Sequence, residues 1–281
     1  MALQPFSDEQ LYFFKFASLV LNEFPKALRQ TFKTMWDITH GHHPSFQLWD
    51  DSTTVRNMFA ATEGGKTKVP VLHSYNEWDC TNLFQATIFA RSFASITSTG
   101  SYTTLSDLYV KPRPVSYGSF HACVVSPGGN MAETFALAID QLRLLRNSLC
   151  HSTSSEMDKA TFDQRVNYAR VAFQALGVPT APIDALGSLT ESDFPTNEVR
   201  QLEKRIKEES LEYIKFLEEM SSDVIEIKAM QNVIMQKVDN IVTKEDIAML
   251  DQKIAKLQDE SDVKSKTTGR LTTLKWTTRG M

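Results

Sequence analysis

Between residues 130 and 151, Phe135, Ile139, Leu142, Leu145 and Leu149 follow one another at steps of four, three, three and four. An α-helix turns once in about 3.6 residues, so these side chains form one apolar stripe along its side. A stripe of that length has to be covered, and the other helical patterns in the chain are its natural cover. The expected fold class is therefore all-α.

The covering patterns are easily found. Over residues 8–39, Leu11, Phe14, Leu21, Phe24, Leu28, Phe32 and Trp36 recur at helical spacing, with Ser7 and Gln10 placed as a capping box. Pro25 lies inside this pattern and should kink or split the helix, because it has no N–H and its ring crowds the preceding turn. Residues 41–52 read as a loop, 53–61 as a short helix, Gly64 and Gly65 as a turn, and 77–93 as a helix. Residues 95–129 are broken by prolines and glycines around β-prone pieces such as 120–125. A structureless stretch of that length inside a domain implies a functional flap or misread elements. A further helix over 157–176 carries Phe162, Val166, Ala169 and Phe173, and Gly177 ends it.

The domain reading follows from these patterns. Residues 1–185 form the bundle, 186–197 a Pro- and Gly-containing linker, 198–260 a coiled-coil helix, and 261–281 a basic, Thr-rich, disordered tail. In the third segment Val199, Leu202 and Ile206 begin a three-four spacing that Tyr213, Phe216 and Met220 continue, while Glu209 is a polar residue in that stripe. Such a helix is expected to stand apart from the bundle and to pair with another helix.

Composition narrows the function. A formal net charge of -4 denies the chain the global basic field of a non-specific nucleic-acid binder, so any RNA contact has to be local. Cys80, Cys123 and Cys150 have neither the number nor the spacing of a disulfide framework or zinc site. No segment is long and apolar enough to span a membrane, and the start lacks a signal-peptide pattern; the expected location is cytoplasmic, with no membrane partner. Gly65-Lys66-Thr67 lacks the earlier glycine of a phosphate-binding loop, where Ala60 stands instead. His40, His42 and His43 lack the further ligands of a metal site, so neither metal nor cofactor is expected.

One polar constellation remains, at the end of the strongest helix. Asn147 and His151 lie four apart and face the same way, and the long side chain of Arg146 is expected to reach the same pocket. An imidazole can move the 2′-hydroxyl or leaving-group proton of RNA near neutral pH, and a guanidinium can hold the phosphate as charge builds on it. Arg146, Asn147 and His151 are thus the candidate catalytic residues. An arginine and a histidine in a last helical turn are equally explained by their favourable interaction with the helix dipole.

The segments LYFFKFASLVLNEFPKALRQTF, WDCTNLFQATIF, LRLLRNSLCH and DKATFDQRVNYARVAFQALG, in that order and spacing, resemble the HEPN (higher eukaryotes and prokaryotes nucleotide-binding) family over about residues 8–180. The resemblance is greatest to the branch named after a DAZ-interacting RNA-binding ubiquitin ligase. It implies a dimeric up-and-down helical bundle whose two Arg-Asn-x-x-x-His motifs face one cleft, so the whole chain is expected to be all-α, an up-and-down helical bundle followed by a long coiled-coil helix. Its catalytic members are metal-independent endoribonucleases of defence and stress systems; others are RNA-binding or assembly modules. This chain has no RING cysteine pattern, so ubiquitin transfer does not carry over. Three functions stay open: a homodimeric RNA-binding module that cleaves RNA, a non-catalytic oligomerisation module of innate-immune-type signalling that meets partners through its coiled coil, and a motif that merely ends a helix.

Overall fold

The first helix of the chain, α1 (Asp8–Ser18), is closed at its N-terminus by the anticipated capping box of Ser7 and Gln10. It runs through a π-helical turn, Leu19–Glu23, into α2 (Phe24–His40). Pro25 falls in the first turn of α2, where its missing N–H is tolerated, and the widened turn before it relieves the clash of the ring. The proline therefore neither splits the pattern into two stacked helices nor leaves a regular one.

The computed structural model describes residues 6–215, apart from Lys66, Thr97, Thr99, Tyr117, Thr153, Thr196 and Tyr213. It is mostly helical. After α2 come α3 (Thr53–Thr62) and α4 (Cys80–Ala86), each capped by a side chain, Ser52 and Asp79 respectively. The helix expected over 77–93 is reduced to α4 flanked by two 3-10 turns, Tyr75–Glu77 and Arg91–Phe93. The β-prone piece at 120–125 is not a strand; the one pairing among the described residues is the two-residue hairpin of β1 (Ser95–Ile96) and β2 (Tyr102–Thr103).

At the centre lies α5 (Met131–Cys150), capped by Asn130, and α6 (Lys159–Leu176) packs along it, capped by Asp158 and ended by Gly177 at φ 67°. Ile139, Leu142, Leu145 and Leu149 are buried as the stripe requires, but Ala136, Leu137 and Ala138 are buried too. The middle of α5 is enclosed on all sides. On the far side of the core, Phe32 stacks edge-on against Trp49, Phe59 and Trp78, with Trp36 beside it.

The expected linker is part of the fold. Val178, Ile183, Leu186 and Phe194 are buried, and a short helix, α7 (Ala181–Asp184), lies among them. The next helix, α8, covers residues 197–212, and it too is docked: Val199 and Leu202 are buried, and Arg205 donates to the Asn22 Oδ1 at 2.7 Å and to the Leu21 carbonyl. The described residues belong to one compact unit that ends at Phe216, so the boundary placed at 186–197 falls too early. Prolines interrupt secondary structure without preventing the residues between them from being buried. The remainder of the coiled-coil segment and the basic tail lie outside the described residues.

Candidate functional site

The polar end of α5 faces a cavity of about 590 Å³. Arg143, Asn147 and His151, spaced four apart on one face of the helix, form one wall together with Ser148. Arg165 of α6 stands opposite, Ser152 and Ser154 close the end, and Val115, Ser116, Gly118, Ser119 and Phe120 of the long loop form the remaining side.

The loop is held by a buried polar knot. His121 Nε2 lies 2.7 Å from Asp140 Oδ2, and the His121 N–H donates to Gln141 Oε1 at 2.9 Å. Arg143 Nε donates to the other Asp140 oxygen at 2.7 Å. Burial alone would push the Asp140 carboxyl up, but the His121 hydrogen bond and the Arg143 guanidinium outweigh it and hold the group below the usual carboxylate range. One carboxylate thus fixes both a pocket arginine and the loop that walls the pocket. Further along, Ser126 donates to Glu133, which also pairs with Arg113.

Arg165 is half-buried, with its guanidinium carbon 5.3 Å from the centroid of the Phe16 ring. Burial holds its pKa below the ordinary arginine value, and Asp158 acts against that at longer range. A partly desolvated cation at the edge of a cavity is a ready partner for an anion.

The three residues singled out from sequence do not all converge. Asn147 and exposed His151 line the cavity, as expected. Arg146 does not: its side chain is only 1% exposed and points away, to Glu209 of α8. The Glu209 Oε2 accepts from Arg146 Nε at 2.9 Å and from Nη2 at 2.6 Å, and Nη2 also donates to the Glu209 carbonyl and to Thr81 Oγ1, each at 2.9 Å. Burial would lower the pKa of the guanidinium, but the Glu209 charge prevails and raises it. The expectation that all three residues face one cleft is therefore corrected. Arg146 sits one residue from Asn147, about 100° round the helix, and the packed neighbours of α5 at that angle are α4 and α8.

Arg143 and Arg165 are the pocket cations that the sequence reading missed. Arg143 could have been found, because it precedes Asn147 by the same four residues that separate Asn147 from His151. Nothing local marks Arg165. Among the described residues no group of three or more His, Cys, Asp or Glu is placed to hold a metal, and His40 instead stacks on Phe46 with its Nε2 3.0 Å from the Ser92 carbonyl. No described helix is long and apolar enough to cross a membrane. No family model, curated protein or solved structure matches the chain.

Proposed function

We propose that the chain is a HEPN-like RNA-binding module whose pocket at the end of α5 holds a phosphate, with His151 placed for metal-independent cleavage. The observation that carries this reading is that Asn147 and His151 share one cavity with two arginines, Arg143 and Arg165. Guanidinium groups give phosphate oxygens charge-assisted hydrogen bonds, the serine hydroxyls suit a ribose, and the volume suits a nucleotide-sized group. His151 is the one imidazole among the described lining residues, so it is the side chain there suited to moving the 2′-hydroxyl proton. In this pocket Arg143 and Arg165 take the phosphate-binding role first given to Arg146. The homodimer implied by the resemblance and the cytoplasmic setting expected from the sequence belong to the same proposal.

A second reading, a non-catalytic interaction module, is favoured by two facts. The Glu209 pairing keeps Arg146 out of the pocket, and α8 with its continuation exposes Leu211 and Ile214, 66% and 47% accessible. The deciding experiment incubates the full chain with single-stranded RNA in EDTA, beside His151→Ala and Arg165→Gln. The RNA reading expects cleavage to vanish in His151→Ala, and binding by anisotropy to weaken by about tenfold in Arg165→Gln. Binding that is absent, or indifferent to Arg165→Gln, would favour the interaction module.

A further inference from the structure

The ion pair of Arg146 and Glu209 touches the pocket wall through Asn147. Arg146 Nη1 is 3.5 Å from Asn147 Oδ1, and Asn147 is part of the pocket wall. A single amide therefore separates the buried guanidinium from the cavity. Glu209 presents to it a negatively charged oxygen that takes both Nε and Nη2, a pairing that a phosphate oxygen could replace in charge and hydrogen-bonding capacity. The same helix also grips the end of α5, since Ser210 Oγ donates to the Cys150 carbonyl at 3.1 Å, next to His151. The apolar anchorage of α8 is slight by comparison: Val199 and Leu202 are buried and Ile206 only half so.

We infer that α8 is an inhibitory latch, in which the Glu209 carboxylate occupies Arg146 in place of a ligand phosphate and is displaced when RNA fills the pocket. This rests on the RNA reading of the pocket. Charge decides the competition. A phosphate entering beside Asn147 draws the guanidinium forward, and the carboxylate then loses its counter-charge and turns to water, to which it is already partly exposed. The two anions share one cation, so whichever binds it weakens the other by the same factor.

The test uses the full chain and a short labelled single-stranded RNA, with affinity measured across a range of salt concentrations. Glu209→Gln keeps the size of the side chain and removes its charge. It is expected to bind RNA on the order of 5- to 10-fold more tightly than the parent. The slope of log affinity against log salt should stay as in the parent, because Arg146 meets the phosphate in both bound proteins and only its competitor is gone. A change that only loosened the fold would not tighten binding. Adding Arg146→Gln to Glu209→Gln should abolish the gain and flatten the slope by roughly 0.7, the loss of one phosphate contact to a single strand. Should Glu209→Gln fold poorly, Arg205→Ala undocks α8 without touching Arg146 and should also tighten binding. Unchanged affinity in both Glu209→Gln and Arg205→Ala, with parent binding still sensitive to Arg165→Gln, would overturn the latch and leave the pocket reading standing. RNA binding by none of the proteins would overturn both.

Discussion

Replacing Glu209 by methionine removes the carboxylate and leaves Arg146 where it is. The guanidinium, 1% exposed, then keeps the Thr81 hydroxyl, Asn147 Oδ1 and the backbone carbonyl of residue 209 but loses the Glu209 charge and two of its hydrogen bonds. Stranding a buried charge in this way costs about 3 kcal/mol, toward the lower end of the range for a broken buried pair because some acceptors remain. The converse change is milder. Arg146→Met leaves a carboxylate already 16% exposed that can rotate into water, for a loss of about 1 to 2 kcal/mol. The double substitution puts two apolar side chains where the charges met and should cost about 1 kcal/mol or less, so the effects are strongly non-additive. Urea unfolding followed by tryptophan fluorescence measures this directly, because Trp36, Trp49 and Trp78 are fully buried in the same unit. A Glu209→Met loss below about 0.5 kcal/mol would class the pair with solvent-screened surface bridges and refute the reasoning. Additive single effects would refute it equally.

Two further outcomes follow from other parts of the molecule. Asp140 is held below its ordinary pKa, so its stabilising pairings are present at neutral pH and are lost as the pH falls through the folded-state value. Asp140→Asn should therefore unfold at lower urea than the parent at neutral pH, with the difference shrinking on acidification, and amide exchange should quicken in the loop around Phe120 and His121; parallel pH profiles would disprove it. Burial pushes the Cys80 thiol well above its usual value and also raises Cys150, while Cys123 is exposed. A disulfide reagent should give one fast thiol in the native protein, removed by Cys123→Ser, and a fast phase that survives this change would contradict the structure.

The helices were legible where local chemistry sets them. Ser7 and Gly177 mark helix ends because a cap acts within a few residues, and the stripe of α5 is a property of its own spacing. The shared face of Asn147 and His151 was legible for the same reason. The side of the helix to which Arg146 turns was not, since it depends on a partner 63 residues away. A trace of that partner did exist: Glu209 interrupts the apolar spacing begun by Val199, Leu202 and Ile206, and a charge in a stripe that is about to be buried implies an opposite charge waiting for it. The docking of α8 escaped notice because its residues are mostly charged and only two of them enter the core. The cavity wall of Val115, Ser116, Gly118, Ser119 and Phe120 was invisible as well, since the loop is anchored by the His121 and Asp140 pairing rather than marked by any periodicity.

Pro25 has a consequence for the order in which the protein is made. It has no N–H to give to the Leu21 carbonyl four residues earlier, and Arg205 supplies a donor instead. That donor is 184 residues distant, and the chain is synthesised from its N-terminus, so this acceptor waits for nearly the whole unit to leave the ribosome. Arg146 waits too. At about 5 to 20 residues per second, the 63 residues that separate it from Glu209 take roughly 3 to 13 s to add. During that interval Arg146 is already part of the nascent chain and Glu209 is not, so the ion pair closes only once α8 has been made.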